Sequence, residues 1–223
     1  MFDGDAVHKV VAGLLLLMSL ASWSIIVWKS FFLRSALSGM ERSIAAFWQA
    51  PTMAQALQTV PVFDRAALVL PLISAGQRHL QHDAQPRLGS QGASAQQLTR
   101  VLREALQLGM RRLQSGQVIL ASVGSMAPFV GLLGTVWGIY GALATIAQAG
   151  QISIAQVAGP VGESLIMTAA GLAVAIPAVL GYNVLGRLIG RIEADLEGFA
   201  RDVRELLVYQ SQAAAYPPDH APH

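Results

Sequence analysis

Between Arg112 and Arg187 the chain carries one charged side chain, Glu163, within the run PVGESLIMTAAGLAVAIPAVLGY from Pro160 to Tyr182. A carboxylate stranded among apolar helices is costly unless it faces a polar cavity or a partner, so proton binding and release is the chemistry it offers. The hydroxyls of Thr168 and of Thr135, the latter in the run SMAPFVGLLGTVWGIYGALAT from Ser125 to Thr145, are the other groups able to pass a proton. Five helical residues place Glu163 and Thr168 about 140° apart, so Glu163 shares its face with Met167, Ala170 and Val174 instead. Counting back from Arg187, Thr168 lies about 29 Å away and Glu163 about 36 Å. Glu163 is thus nearer an outer rim, where a carboxylate can also reach water or cap a helix N-terminus. Thr135, in an antiparallel neighbour, falls at a height similar to Thr168. One Glu and two hydroxyls make an incomplete proton wire, and a second carboxylate from a partner would complete it.

Both runs are crowded with small residues. Gly124, Ala127, Gly131, Gly134, Gly138, Gly141 and Thr145 recur three or four apart, and Gly134-x-x-x-Gly138 lies within that stripe. A second stripe holds Ser164, Thr168, Gly171, Ala175 and Ala178 and leads to Tyr182. Small stripes let helix backbones approach closely, so Gly131, Gly134, Gly138, Gly141, Ser164, Gly171 and Ala175 are expected at helix-packing or pore-lining positions. A lone intramembrane Thr such as Thr135 most often donates its hydroxyl to the carbonyl four residues earlier in its own helix.

The elements that must hold these groups follow from composition. Hydrophobic residues make up 53% of the 223 and charged residues only 13%, with a mean hydropathy of +0.48. A typical soluble domain is about 25% charged, so the chain reads as an all-α integral membrane protein. Three windows can each cross a core of about 30 Å: residues 10–32, 118–145 and 160–186. Ser19-x-Ala21 loosely fits a signal-cleavage site, but the preceding residues are acidic and the apolar run continues through Val27, so the first window is read as a retained span. Residues 33–117 hold nine Arg and residues 187–223 four, against one Lys in 1–9 and no Arg or Lys in 146–159. The positive-inside rule then puts 1–9 and 146–159 outside, and 33–117 and 187–223 in the cytoplasm.

Prolines at 51, 61, 71 and 86 divide the cytoplasmic region into short helical pieces, and GSQGAS at 89–94 reads as a link. Ser94 with Gln97 makes a capping-box pattern. The run from there merges without proline into the second span, which predicts one long helix kinked at Pro128. Pro160 should open the third helix in its first turn. Beyond Arg191 that helix should continue as an amphipath through Ile192, Leu196, Phe199, Val203, Leu206 and Leu207, before a disordered tail.

With no Cys there is no thiolate nucleophile or thiolate metal site. No nucleophile motif, phosphate loop or dinucleotide fingerprint occurs, so no enzyme and no cofactor are expected. His79-x-x-His82 with Asp83 reads as surface rather than as a metal site. The basic loop fits topology and contact with anionic membrane lipid better than nucleic acid.

The runs APFVGLLGTVWGIYGAL and VAGPVGESLIMTAAGLAVAIPAVLGYN strongly resemble the MotA/TolQ/ExbB proton-channel family, its ExbB branch in particular. DAVHKVVAGLLLLMSLASWSIIVWKS resembles the first span of that branch. The resemblance implies a pentameric ring of inner-membrane subunits around an ExbD-like single-span protein whose intramembrane Asp is the missing carboxylate. It implies a TonB-like partner through which proton motive force drives outer-membrane uptake of siderophore iron and vitamin B12. On matching positions it makes Glu163, Thr135 and Thr168 the polar pore-associated residues. AGPVGESL at 158–165 departs from the frequent APGIAEAL in the order of Gly159 and Pro160 and in Ser164. A TolQ-type subunit of the Tol-Pal envelope system shares the channel motif and is the nearest alternative. A non-conducting membrane scaffold is the alternative of a different class.

Overall fold

A computed structural model describes residues 4–82, 91–149 and 154–215, and every element among them is helical. In chain order these are α1 (Gly4–Gln49), α2 (Met53–Phe63), α3 (Val69–His82), α4 (Gln91–Gln114), α5 (Gln117–Ala149) and α6 (Ile154–Ala215). Three of them, α1, α5 and α6, are long and apolar enough to cross a membrane. The chain divides into two compact units, one of residues 1–31 and 116–187, the other of 32–115 and 188–223.

The first unit contains the three apolar stretches. Its core joins Val11 and Leu15 of α1, Val123 and Ala127 of α5, and Ala175 and Ala178 of α6. Large aliphatic and aromatic side chains instead cover the exterior, among them Leu17, Phe129, Leu133, Ile166 and Leu180. Alanines and glycines at the helix contacts, with many large apolar side chains left outside, invert the soluble pattern, as expected where the surroundings are lipid or another helix.

The second unit is a helical domain built like a water-soluble one. Leu33, Ala36, Met40 and Phe47 of α1 recur at three, four and seven and are buried. They continue the helical period beyond the first span, and no proline interrupts it before Pro51, so α1 runs for 46 residues rather than breaking near residue 33. Thr52 caps α2 by accepting from the Gln55 amide at 3.3 Å. Pro71 sits in the first turn of α3, where the missing N–H costs little, whereas Pro61 sits in the last turn of α2 and removes the amide that would donate to the Leu57 carbonyl. Between them the buried Asp64 carboxylate accepts from the amides of Leu68, Val69 and Leu70 at 2.9, 2.9 and 2.7 Å. Those three bonds hold a turn in which Ala67 has φ of 51°, a left-handed conformation costing about 1–2 kcal/mol without a glycine.

In α6 the expected amphipath is buried at Ile192, Leu196, Phe199, Val203 and Leu207, with Leu206 only half-buried. Phe47 and Phe199 meet edge to face at 5.2 Å between centroids. Gly76 of α3 leaves room for Leu207, whose Cδ1 lies 2.6 Å from where a Cβ at 76 would sit.

Five sequence expectations are corrected. The single helix through residues 94–145 is two helices, because Gly116 has φ of +87°, which ends α4 and restarts α5 at Gln117. Ser94 is not a cap, since α4 begins at Gln91 and takes in residues 91–94 of the expected link. Pro160 does not open its helix; α6 starts at Ile154, and the proline lies inside it. The connection expected over 146–159 is helical through Ala149 and again from Ile154. The tail expected to be disordered from Ala213 is helical through Ala215, and its remainder, like Asp83 and Pro86, lies outside the described residues.

Candidate proton pathway

The site is built on the seam between α5 and α6 of the first unit. A Cβ on Gly131 would lie 2.6 Å from the Met167 carbonyl oxygen and 3.2 Å from the Cα atoms of Thr168 and Gly171. One on Gly171 would lie 2.6 Å from the Ala127 oxygen and 3.1 Å from the Gly131 Cα. Further along, Gly124 faces Val179 and Gly138 faces Ser164. As residue numbers rise on α5 they fall on α6, so the two helices pack antiparallel. Backbone-to-backbone approach of this kind is what a small-residue stripe makes possible.

Each expected residue can now be placed. Gly131, Gly134, Gly138 and Gly171 lie at helix contacts, Gly134 between Met167 of α6 and Val11 of α1. Ala175 belongs to the buried core. A Cβ at Gly141 would meet nothing within 4 Å, so that position stands apart from the tight part of the seam.

Thr135 is buried, and its hydroxyl donates to its own helix backbone at the Leu132 carbonyl, 2.7 Å away and three residues back rather than the four expected. Ser164 is fully buried and donates to the Pro160 carbonyl at 2.7 Å. Both hydroxyls thus have their proton committed and keep lone pairs able to accept. Thr168, one turn beyond Ser164, is half-buried, with its Cα against Gly131. The hydroxyl residues therefore gather along one seam at comparable height.

Glu163 does not join them. It is exposed, while Met167, Ala170 and Val174 on its side of the helix are half-buried. Its carboxylate is presented outward from the chain's own packed seam, as a group that meets water or a second protein must be. Within this unit, then, Glu163 lies on a different face of α6 from Ser164 and Thr168 rather than in one continuous file with them.

Two residues escaped the sequence reading. Lys29 is only 2% exposed although it lies within the first apolar window. Its ammonium lies 5.4 Å from the Trp28 ring centroid, and its Cε approaches within 3.8 Å of where a Cβ at Gly116 would sit. His8 reaches the Gly138 notch beside Ser164. Spacing gave no sign of either contact, because both are made across helices distant in sequence. Among the described residues no cluster of three potential metal-ligating side chains occurs.

The model of the MotA/TolQ/ExbB proton channel family matches residues 68–198, which include α5 and the first part of α6. A "Biopolymer transport protein ExbB" of Xanthomonas campestris pv. campestris (strain B100) is 41% identical over 220 residues, covering 94% of this chain and 85% of the relative. The protein so named in Neisseria meningitidis serogroup A is 39% identical over 217 residues, covering 95% of this chain and 96% of its own. That of Salmonella typhimurium (strain LT2) is 34% identical over 199 residues, with 89% and 81% covered. These matches extend the likeness over nearly the whole chain, both units included. With three apolar helices and a seam of small residues and hydroxyls, the chain is a multi-pass bacterial membrane protein and belongs to the MotA/TolQ/ExbB proton channel family.

Proposed function

We propose that this chain is the proton-conducting subunit of a TonB–ExbB–ExbD motor in the bacterial inner membrane, coupling proton motive force to outer-membrane uptake of siderophore iron and vitamin B12. The observation that carries the reading is the placement of Glu163. It is the one charged residue in the last two apolar stretches, and it is exposed, next to a seam holding Thr135, Ser164 and Thr168. An outward carboxylate in lipid needs a polar partner, and a single-span ExbD-like helix bearing an intramembrane Asp supplies one. The roles of the site residues follow. Glu163 and Thr168 exchange protons with that Asp, Thr135 accepts at similar height, and Gly131, Gly134, Gly138, Gly141, Gly171, Ser164 and Ala175 shape helix contacts within and between subunits.

The large apolar side chains on the outside of the first unit leave ample surface for lipid and for further copies in a ring, with a pentamer as the expected closure. Residues 1–9 and 146–159 would then face the periplasm, and 33–117 and 187–223 the cytoplasm, in keeping with nine and four Arg in the latter two. The ExbB name of the relatives favours this pathway over the TolQ type.

The test is a mild-detergent purification from native membranes with mass spectrometry of what co-purifies. A single-span protein with an intramembrane Asp and a TonB-like protein are expected. TolR-like and TolA-like proteins would redirect the pathway. The chain alone, shown to remain folded, would favour a scaffold.

A further inference from the structure

In the second unit a groove of about 820 Å³ runs between α4 and the later part of α6. Leu102, Leu106 and Met110 of α4, four residues apart, give it an apolar wall, and Ala200 of α6 leaves it room. Leu102 and Leu207 both lie close to where a Cβ at Gly76 would sit, so they mark one level. From there the groove extends to Gln114 on α4 and to Glu193 on α6, so the two helices run along it in opposite senses. Arg103, Arg204 and Arg201 therefore stand within about 9 Å of that level, and Glu197 and Glu193 about 15 and 21 Å from it. Arg204 Nε is buried without a hydrogen-bond acceptor, which a guanidinium N–H taken from water needs. Among the described residues, the three arginines make no ion pair with the groove's glutamates.

The opposite face of α4 carries the complement. Glu104, Leu108 and Arg112 recur four apart, and all are exposed, Leu108 by 56%. Glu104 directly follows Arg103, at the basic end of the groove, and Leu108 stands between the heights of Leu106 and Met110. Arg112 is about 15 Å from Leu102 along the helix, the same distance as Glu197 from Leu207.

We propose that this groove receives the Glu104–Leu108–Arg112 face of α4 from a second copy of the chain. Glu104 of the neighbouring copy meets Arg204 and Arg103, its Leu108 packs on Leu106, Met110 and Ala200, and its Arg112 meets Glu197. The inference rests on the part of the reading above that sets copies side by side in a ring, not on proton conduction. Copies inserted in one membrane in one sense are related by rotation about its normal, so like residues keep like heights. The charges therefore match without sliding one copy along the other. Groove and ridge are different faces of one chain, so the contact is heterologous and can repeat around a closed ring. The Arg100–Glu104 pair at 3.0 Å does not prevent it, since an exposed pair of that spacing contributes little. Against the buried Arg204 donor the same carboxylate makes a charge-assisted bond shielded from water, which is stronger. A free anion or a lipid headgroup would fill the basic end and leave the leucines and Glu197 unmatched.

The chain has no Cys, so disulfide cross-linking of the full chain in native membranes reads the contact directly. With Leu108→Cys and Ala200→Cys in one chain, oxidation should give a ladder of cross-linked multimers, absent when either change stands alone. A ladder from Leu108→Cys alone would mean that ridge meets ridge, and it overturns the inference. Adding Glu104→Arg to the Cys pair should weaken the ladder at least about tenfold, and Arg204→Glu in the same chain should restore it. A ladder that Glu104→Arg leaves unchanged overturns the inference, because the charges that select this occupant then do nothing. Should Arg204→Glu fail to fold, the exposed Glu104→Arg variant decides by itself, a lost ladder supporting the contact and a retained one overturning it. Native mass spectrometry of the purified complex separates the two levels of failure. Several copies without the 108–200 cross-link overturn the groove contact and leave the ring standing. A single copy without it removes the ring and this inference together.

Discussion

Gly131 and Gly171 face each other across the α5–α6 seam with no side chain between them. A Cβ on the first would stand 3.2 Å from the Cα of the second, and the reverse distance is 3.1 Å. Each would also press to 2.6 Å from a backbone oxygen of the opposite helix, which no rotamer change can relieve. Gly131→Ala and Gly171→Ala are therefore expected to destabilise by about 1–3 kcal/mol despite the better helix propensity of Ala. At Gly186 a Cβ would meet nothing within 4 Å, so Gly186→Ala should be neutral or stabilising. Thermal unfolding in detergent separates them, at about 2–4 °C per kcal/mol for a chain of this size.

Glu163→Gln should leave the fold intact, because the side chain is exposed. A surface change of this kind shifts stability by less than about 0.5 kcal/mol. Proton flux through the assembled complex should nevertheless fall at least about tenfold, since an amide neither binds nor releases a proton in the working range. Equal flux in wild type and variant, at equal assembly by size-exclusion chromatography, would remove Glu163 from the pathway.

In the second unit Asp64 is the residue to remove. Asp64→Ala leaves the amides of Leu68, Val69 and Leu70 without their acceptor and frees the left-handed turn at Ala67. A loss of about 2–4 kcal/mol is expected, above the usual cap deletion because the site is buried. Asp64→Asn keeps one acceptor oxygen and should lose less. Hydrogen exchange of those three amides gives the local reading.

Gly116→Ala forces a side chain into φ of +87° and brings its Cβ to 3.3 Å from Ile25 Cγ2. The conformation alone costs about 1–2 kcal/mol. Gly116→Asn should be milder on that count, because Asn tolerates the left-handed region better. If both variants unfold like wild type, the break between α4 and α5 is not held by this residue.

The three apolar stretches were legible because charge is scarce in them, Lys29 and Glu163 being the exceptions, and that scarcity is one-dimensional information. The α5–α6 contact was legible for a related reason: glycines at three and four residues mark a face wherever the helix lies. The break at Gly116 was not, since Ser115-Gly116-Gln117 differs little from a helical passage until the sign of φ is known. Nor was the length of α1, where prolines at 51 and 61 drew attention away from the Leu33, Ala36, Met40 and Phe47 series. Glu163 and Thr168 were placed on different faces by angle alone, and the burial difference between them agrees. Lys29 and His8 show the limit, since each is defined by a neighbour more than eighty residues away.

Pro160 inside α6 has one more consequence. A proline has no amide hydrogen, so the carbonyl of residue 156, one turn earlier in α6, has no helical donor. The Ser164 hydroxyl does not repair this, because it donates to the Pro160 carbonyl. In hydrocarbon such an oxygen would cost several kcal/mol. Water, another chain or a local shift of the helix can each supply the donor that the turn leading into Glu163 lacks. An open acceptor is thus written into the backbone at this end of α6, one helical turn or two ahead of Glu163.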